Sequence, residues 1–371
     1  MKRLSVVLAV ITALALAAMV WQAAHGQPRS ASQPASRDRD ISIETPSPER
    51  IAGNEPTDTN TPTAHPADAS RDPKTQQYLS RLLSVGRARG QISRPVLDDF
   101  VASTDRRATA LLVAWREIDD RAYLEEAAAN FPDDPRVQFA MITDSKSAAE
   151  RDQWIEAFQK SAPDNPLADY FRAILNFEQK DNGAAFQALA EASGKTAFED
   201  YMWDFSDEME ALYLHAGMPP AEAKATASIS ILLPHLQMLR ELANQIGESQ
   251  LAERSAGNTS RANDLLAAQM ELGRTLAETP NRTLIHRLVG IAIQRNAIES
   301  SEPTAIDALF GRPPPALLAE LQTVREQIVQ TTRTADLASL IRTEADLLHY
   351  FELIRTNGEL AAIEWLTGRT P

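Results

Sequence analysis

A repeated pattern in the middle of the chain constrains its fold more than any other feature. Tyr-Leu-Glu at residues 123–125 is followed by Pro-Asp-Asp-Pro at residues 132–135. After an offset of 31 residues, Trp-Ile-Glu at residues 154–156 is followed by Pro-Asp-Asn-Pro at residues 163–166. This recurrence is typical of two copies of a helical hairpin, which cannot bury its apolar face without a stacked neighbour.

The two turns carry the signals that separate one helix from the next. Asp134 and Asn165 each precede a proline, as expected of an N-cap residue followed by proline in the first helical position. Proline also disfavours helix in the residue before it, so each turn should divide two helices. Phe139 and Tyr170 then fall in register and complete the repeat.

Helical periodicity continues through the rest of the body. Apolar residues recur at steps of three and four, and no alternating run bounded by turn signals indicates a strand. We predict an all-α fold, with an α-solenoid of antiparallel helix pairs followed by a bundle of longer helices. The predicted pairs are 106–118 with 121–130, 136–142 with 148–161, and 167–178 with 184–192. The later helices are 198–216, 221–254 with a break at Pro234, 258–276 and 283–300. A proline-rich boundary at 300–315 precedes a hairpin of 317–331 with 334–355 and a short cap at 360–366.

The pairs resemble the tetratricopeptide repeat (TPR) family. Its repeat has two antiparallel helices with an early aromatic residue, a small residue midway along the first helix, a Gly-Asp-like turn, an alanine in the second helix and a closing proline. In the third pair these positions fall near Tyr170, Ala173, Lys180-Asp181 and Ala185. Pro132 and Pro163 stand where the closing proline belongs.

The resemblance covers about residues 106–192 and 236–280. The second stretch matches at residues 257–258, at Ala262 and near Pro280. The chain departs from the family in its shorter period, in Lys180 where glycine is usual, and in having no proline after Ala192. The resemblance implies a divergent TPR-like array whose first helices line a groove for a peptide or protein partner.

The N-terminal segment predicts a location outside the cytoplasm. A basic start is followed by an apolar run at residues 4–21, and small residues at Ala24 and Gly26 favour cleavage before Gln27. Residues 1–26 are therefore interpreted as a secretory signal peptide, with an uncleaved membrane anchor as the alternative. Residues 27–75 hold eight of the 22 prolines and no aromatic residue, and we predict a disordered linker there.

The predicted domains that follow are a TPR-like domain at 76–300 and a C-terminal hairpin at 301–371 packed on it. The expected localisation is periplasmic or secreted, with anchoring in the inner membrane by residues 4–21 as the alternative.

Composition excludes several function classes. The chain has no cysteine, which rules out disulfides, thiolate metal sites and a thiol nucleophile. Gly-Lys-Thr at residues 194–196 is similar to the end of a phosphate-binding loop, but Leu189 stands where that motif requires glycine. No cofactor is predicted. The net charge of -14 lies entirely within residues 76–371, so we expect no nucleic-acid partner.

The polar candidates for chemistry are histidines and one acidic helix. None of the body histidines, His215, His235, His286 and His349, is spaced with another as metal ligands on one helix are. We interpret them as helix-surface or helix-end residues and predict no metal site; His235, beside Pro234, is the one to test first. Asp204, Asp207 and Glu208 share a helix face and could hold a cation or act as a carboxylate pair. The apolar opposite face favours a solvated side of an amphipathic helix.

Three functions fit the sequence. The favoured one is an extracytoplasmic, non-catalytic interaction module or scaffold whose groove candidates are Arg136, Gln138, Asp169, Arg172 and Asn176. The second is an all-helical envelope enzyme with a carboxylate-based site. The third is a membrane-tethered structural component of the envelope.

Overall fold

The computed structural model describes residues 92–231, 233–334 and 340–368. The predicted signal or anchor and the predicted linker lie outside these residues. Within them, every regular element is an α-helix and no strand occurs. None of the described helices is both long and apolar enough to cross a bilayer.

The first seven helices are α1 (Arg94–Ser103), α2 (Ala108–Ile118), α3 (Arg121–Asn130), α4 (Pro135–Asp144), α5 (Ala148–Ser161), α6 (Pro166–Glu178) and α7 (Asn182–Ala192). The next five are α8 (Met202–His215), α9 (Pro220–Ile229), α10 (Pro234–Ser255), α11 (Thr259–Glu278) and α12 (Leu284–Ser300). The last four described are α13 (Pro303–Phe310), α14 (Pro314–Thr334), α15 (Glu344–Asn357) and α16 (Glu359–Gly368).

The repeated turns behave as the sequence predicts. Asp134 accepts a hydrogen bond from the Arg136 N–H, and Asn165 accepts one from the Leu167 N–H. A proline occupies the start of the helix that follows each cap. The aromatic residues Phe139 and Tyr170 are both buried. The two turns therefore set the starts of the helices that follow them, and an aromatic residue of each of these helices enters the core.

Successive helices pack in pairs, and the prediction of an all-α fold is confirmed. The helices α2 and α3, α4 and α5, and α6 and α7 lie against each other, and each pair also contacts the next. The later helices then return onto the early ones, because α8 packs on α2 and α10 packs on α6. One buried apolar cluster consequently extends from Leu97 to Ile293.

Two glycines allow a close crossing between α11 and α12. A Cβ added at Gly273 would lie 2.8 Å from the Gly290 carbonyl oxygen. A Cβ added at Gly290 would lie 2.6 Å from the Ala277 nitrogen. A side chain at either position would push the two backbones apart, so these glycines fix where α12 lies.

The C-terminal region differs from the predicted hairpin. The helix expected at 334–355 is interrupted at residues 341–343, and α15 begins at Glu344, where Thr343 and Asp346 form a reciprocal capping box. The helix α15 packs on α9 and α16, whereas α14 packs on α12 and α16. Both helices therefore contact α16, and each also packs on a different helix from the earlier part of the chain.

Candidate functional site

The connecting segment, residues 193–201, joins α7 to α8 without helical structure. Side chains of the repeat hold it in place. The Asn165 Nδ2 donates to the Glu199 carbonyl oxygen at 2.7 Å, and the Glu199 N–H donates to the Asn165 Oδ1 at 3.3 Å. The Lys195 ammonium lies 2.5 Å from the Asp169 Oδ2. One cap residue of the repeat therefore binds both main-chain groups of a non-helical residue.

Asp200, in the connecting segment, lies at the centre of a buried polar cluster. Its Oδ1 accepts hydrogen bonds from the Arg282 Nη1 at 3.0 Å and from the Met202 N–H at 3.3 Å. Its Oδ2 lies 2.9 Å from the His286 Nε2 and 3.1 Å from the His235 Nε2. The Oδ1 atom of Asp200 therefore contacts a guanidinium and a backbone N–H, whereas its Oδ2 atom contacts two imidazoles.

The two histidines come from the first turns of different helices, α10 and α12. Both are buried, with His235 1% and His286 0% exposed. The His286 Nδ1 lies 2.9 Å from the Thr283 Oγ1, which fixes the orientation of that ring. The His235 ring stands edge-on to Phe139 at 5.5 Å, and neither of its nitrogens makes a hydrogen bond of good geometry despite the nearby Asp200. A buried imidazole is therefore kept without a satisfied partner, which is costly.

Arg282 neutralises the carboxylate from the other side. This guanidinium is buried, and its Nη2 donates to the Phe198 carbonyl oxygen at 2.9 Å. The same nitrogen lies 3.3 Å from the Glu199 Oε2. Arg282 therefore fixes both the side chain of Asp200 and the main chain that precedes it.

The surroundings favour an ionised carboxylate beside a neutral imidazole. Burial by itself would raise the pKa of Asp200, but the neighbouring imidazoles of His235 and His286 hold that pKa well below its usual range. Burial lowers the pKa of His286, and the neighbouring Asp200 only partly opposes this effect. The cluster brings together one carboxylate oxygen and two imidazole nitrogens, atom types that bind transition-metal ions.

A pocket reaches the cluster from the surface. It has a cavity volume of about 20 Å³, enough for about one water molecule, and Asp200 and His235 form part of its wall. Arg116 and the serines Ser206 and Ser230 supply further polar groups to an otherwise apolar lining. The cluster is therefore buried yet adjacent to a cavity.

The histidines are predicted to be helix-surface or helix-end residues, and two of the four lie at helix ends without being on the surface. His235 and His286 do lie near helix ends, but both are buried around Asp200. His215 is the partly exposed kind of residue that was expected, and it pairs with Asp99 at 2.8 Å. His349 stacks edge-on with Trp365 at 4.5 Å.

The acidic residues of α8 do not converge on one ligand position. Asp204 lies 3.8 Å from Arg136, and Asp207 lies 2.6 Å from Arg355. Glu208 is buried and accepts from Arg107 and Thr109 of the α2 region. These carboxylates attach α8 to three other parts of the chain, and a carboxylate pair is not assembled from them.

The predicted groove residues fall into two groups. Gln138 and Asp169 are each 1% exposed and make internal hydrogen bonds, to Ser161 and Gln159 respectively. Arg136, Arg172 and Asn176 remain partly accessible, although Arg136 pairs with Asp134 and Arg172 with Asp152. Their role in binding a partner stays a prediction, and only the second group still has surface to offer one.

Sequence reasoning missed the Asp200 cluster because its members come from three distant segments. Asp200, His235 and His286 place one ligating atom each within 4.8 Å of the others. No sequence spacing encodes this meeting. Two features of the sequence could have drawn attention to the cluster: His235 directly follows Pro234 at a helix start, and Asp200 lies between two helices.

No protein-family model, curated protein or solved structure matches the chain.

Proposed function

We propose that the protein is an extracytoplasmic, non-catalytic interaction module, in which a TPR-like array of helix pairs binds a non-helical peptide segment of a protein partner. The predicted N-terminal signal or anchor supports a periplasmic or secreted location. The helix pairs support the array, since stacked hairpins are a common way to build an extended binding surface.

The observation that carries the proposal is the way the repeat holds the connecting segment. Asn165 binds both main-chain groups of Glu199, and Asp169 binds the ammonium of Lys195. Main-chain bonds of this kind accept any extended polypeptide, while the carboxylate selects a basic side chain. The same helices therefore already perform, within the chain, the recognition that the proposal assigns to a partner.

The surface left for a partner adjoins this internal contact. Arg172 and Asn176 lie on α6, the helix that begins at the Asn165 cap, and both keep partial exposure. A partner segment would lie along α6 beside the connecting segment. An acidic side chain of that segment would bind Arg172 in place of Asp152. The proposed partner is thus a peptide segment that carries an acidic side chain for Arg172.

Site-specific photo-crosslinking tests the proposal. A photoreactive residue replaces Asn176 in the full-length chain, expressed in its source cells. We expect one discrete adduct whose crosslinked site, read by mass spectrometry, falls in a non-helical segment of a partner. Arg172→Glu in the same chain should reduce the adduct by about tenfold, as expected for loss of about 1.4 kcal/mol of binding energy.

The matched control replaces Asn296, an exposed asparagine on α12, far along the chain from the repeat. The control position should give no such adduct. Equal adducts from both positions, or no adduct from position 176, would contradict the groove assignment.

A further inference from the structure

We propose that Asp200, His235 and His286 form a binding site for a divalent first-row transition-metal ion of the zinc class. The ligating atoms are the Asp200 Oδ2 and the Nε2 atoms of the two histidines. This site is independent of the proposed partner groove. It would add a bound ion to the point where the connecting segment meets α10 and α12.

The spacing of the donor atoms suits an ion between them. The Asp200 Oδ2 lies 2.9 Å from one Nε2 and 3.1 Å from the other. Zinc binds nitrogen and carboxylate oxygen at about 2.0–2.2 Å, so neighbouring ligands around it are separated by about 3.0–3.5 Å. An ion can therefore replace the imidazole–carboxylate contacts after small side-chain movements.

The groups behind the ligands orient them as metal sites require. The Thr283 Oγ1 lies 2.9 Å from the His286 Nδ1. When the His286 Nε2 binds a metal ion, the Nδ1 carries the proton and donates a hydrogen bond to this hydroxyl oxygen. Arg282 and the Met202 N–H occupy the Asp200 Oδ1 and leave Oδ2 free to face the histidines. Such second partners fix the tautomer and direction of metal ligands.

The state of His235 is a separate observation that points to a ligand. This imidazole is 1% exposed, lies against the cluster, and has no well-formed hydrogen bond on either nitrogen. A purely hydrogen-bonded core would gain by replacing such a group with an apolar one. A coordinated ion gives the Nε2 lone pair a partner and accounts for a buried histidine at this position.

The donor set also selects the class of ion. Two imidazoles and one carboxylate suit zinc, iron, cobalt or nickel ions, whereas calcium and magnesium prefer sites made only of oxygen. Arg282 adds a nearby positive charge that disfavours any cation, and Glu199 at 3.3 Å offsets part of it. Asp200 and His235 also line the pocket, whose volume of about 20 Å³ leaves room for about one water molecule as a further ligand.

Cobalt binding to the full-length, chelator-treated protein tests the site. We expect one Co²⁺ per chain by titration calorimetry, with the visible absorption bands of a nitrogen- and oxygen-ligated ion. His235→Gln should weaken binding by more than about 100-fold, because a ligand is lost, and Thr283→Val by about 10–100-fold. His215→Gln, which removes a partly exposed histidine paired with Asp99, is the matched control and should leave the affinity unchanged.

Circular dichroism establishes that each variant is folded. If His235→Gln does not fold, two other measurements test the site. Thr283→Val should weaken Co²⁺ binding. In the wild type, zinc binding should shift the Nε2 NMR signals of two histidines, because these nitrogens coordinate the ion. Absence of stoichiometric Co²⁺ binding by the folded wild type would overturn the proposal. Binding that persists in Thr283→Val and His235→Gln but falls in His215→Gln would overturn it as well.

Discussion

Replacing Asp200 by Asn should destabilise the protein more than any other single loss of charge in the connecting segment. The substitution keeps the size of the side chain but removes the negative charge that faces Arg282 and two histidines. It leaves the Arg282 cation, whose side chain is 4% exposed, without its closest anion. The perturbation is therefore electrostatic rather than steric.

The expected magnitude follows from the burial of the pair. Breaking a buried ion pair by removing one partner costs about 3–5 kcal/mol, because the remaining charge is desolvated and uncompensated. Glu199, 3.3 Å from Arg282, is half exposed and recovers only part of this loss. We expect the free energy of unfolding of Asp200→Asn to fall by about 3 kcal/mol.

Urea unfolding followed by far-ultraviolet circular dichroism measures the change. Asp204→Asn is the matched control, because this aspartate is half exposed and lies 3.8 Å from Arg136. An exposed pair of this kind contributes about 0–1 kcal/mol. A loss below about 1 kcal/mol for Asp200→Asn, similar to the control, would refute the assignment of Asp200 as the buried centre of charge.

The same pair predicts a pH dependence. The pKa of Asp200 is lowered in the folded state, so its stabilisation is present above the ordinary value of 3.8 and is lost as the pH falls through the folded-state pKa. The pKa of His286 is also lowered, so the unfolded chain gains that proton first as the pH falls below 6.5, which reduces stability. The difference between wild type and Asp200→Asn should shrink in acidic solution below the ordinary aspartate value of 3.8, as the pH falls towards the folded-state pKa of Asp200.

Two further substitutions test the packing around the site. Gly290→Ala brings a Cβ within 2.6 Å of the Ala277 nitrogen, and we expect a loss of about 1–3 kcal/mol in urea unfolding because α11 and α12 must separate. Asn165→Ala should cost more than Asp134→Ala, because both remove an N-cap worth about 1 kcal/mol, but only Asn165 also holds the main chain of Glu199.

The controls separate these effects from general damage. Gly183→Ala also adds a Cβ to a helical glycine, but its nearest neighbour would lie at 3.5 Å, so stability should hold or rise slightly. Equal losses for Gly183→Ala and Gly290→Ala would show that the close crossing is not the cause. Equal losses at Asn165 and Asp134 would mean that the connecting segment draws no stability from the repeat.

The helices of the repeat could be predicted from sequence because their signals are local. Asp134 and Asn165 act as caps before proline, and the predicted helix at 148–161 has the observed bounds. Local signals also existed where the prediction failed. Thr343 and Asp346 have the spacing of a capping box, and this box starts α15 at Glu344. Apolar periodicity alone predicts one helix over 334–355, which overlooks that start.

The start of α8 and the polar cluster could not be predicted because they depend on tertiary contacts. Periodicity placed Phe198 in the helix, but residues 198–200 bind Arg282 and Asn165 instead, and the helix begins at Met202. The residues of the cluster come together only when α10 and α12 pack beside the connecting segment. Predicting that meeting requires the fold itself.

Asn165 and the Asp200 cluster together hold the non-helical connecting segment in place. Native-state hydrogen exchange of the main-chain amides of Glu199 and Met202 tests it most directly, since both donate to side chains of that assembly. The account predicts slow exchange in the wild type and faster exchange at both amides when Asn165→Ala and Asp200→Asn are combined. Exchange of both wild-type amides at the rate of an unprotected chain would contradict it.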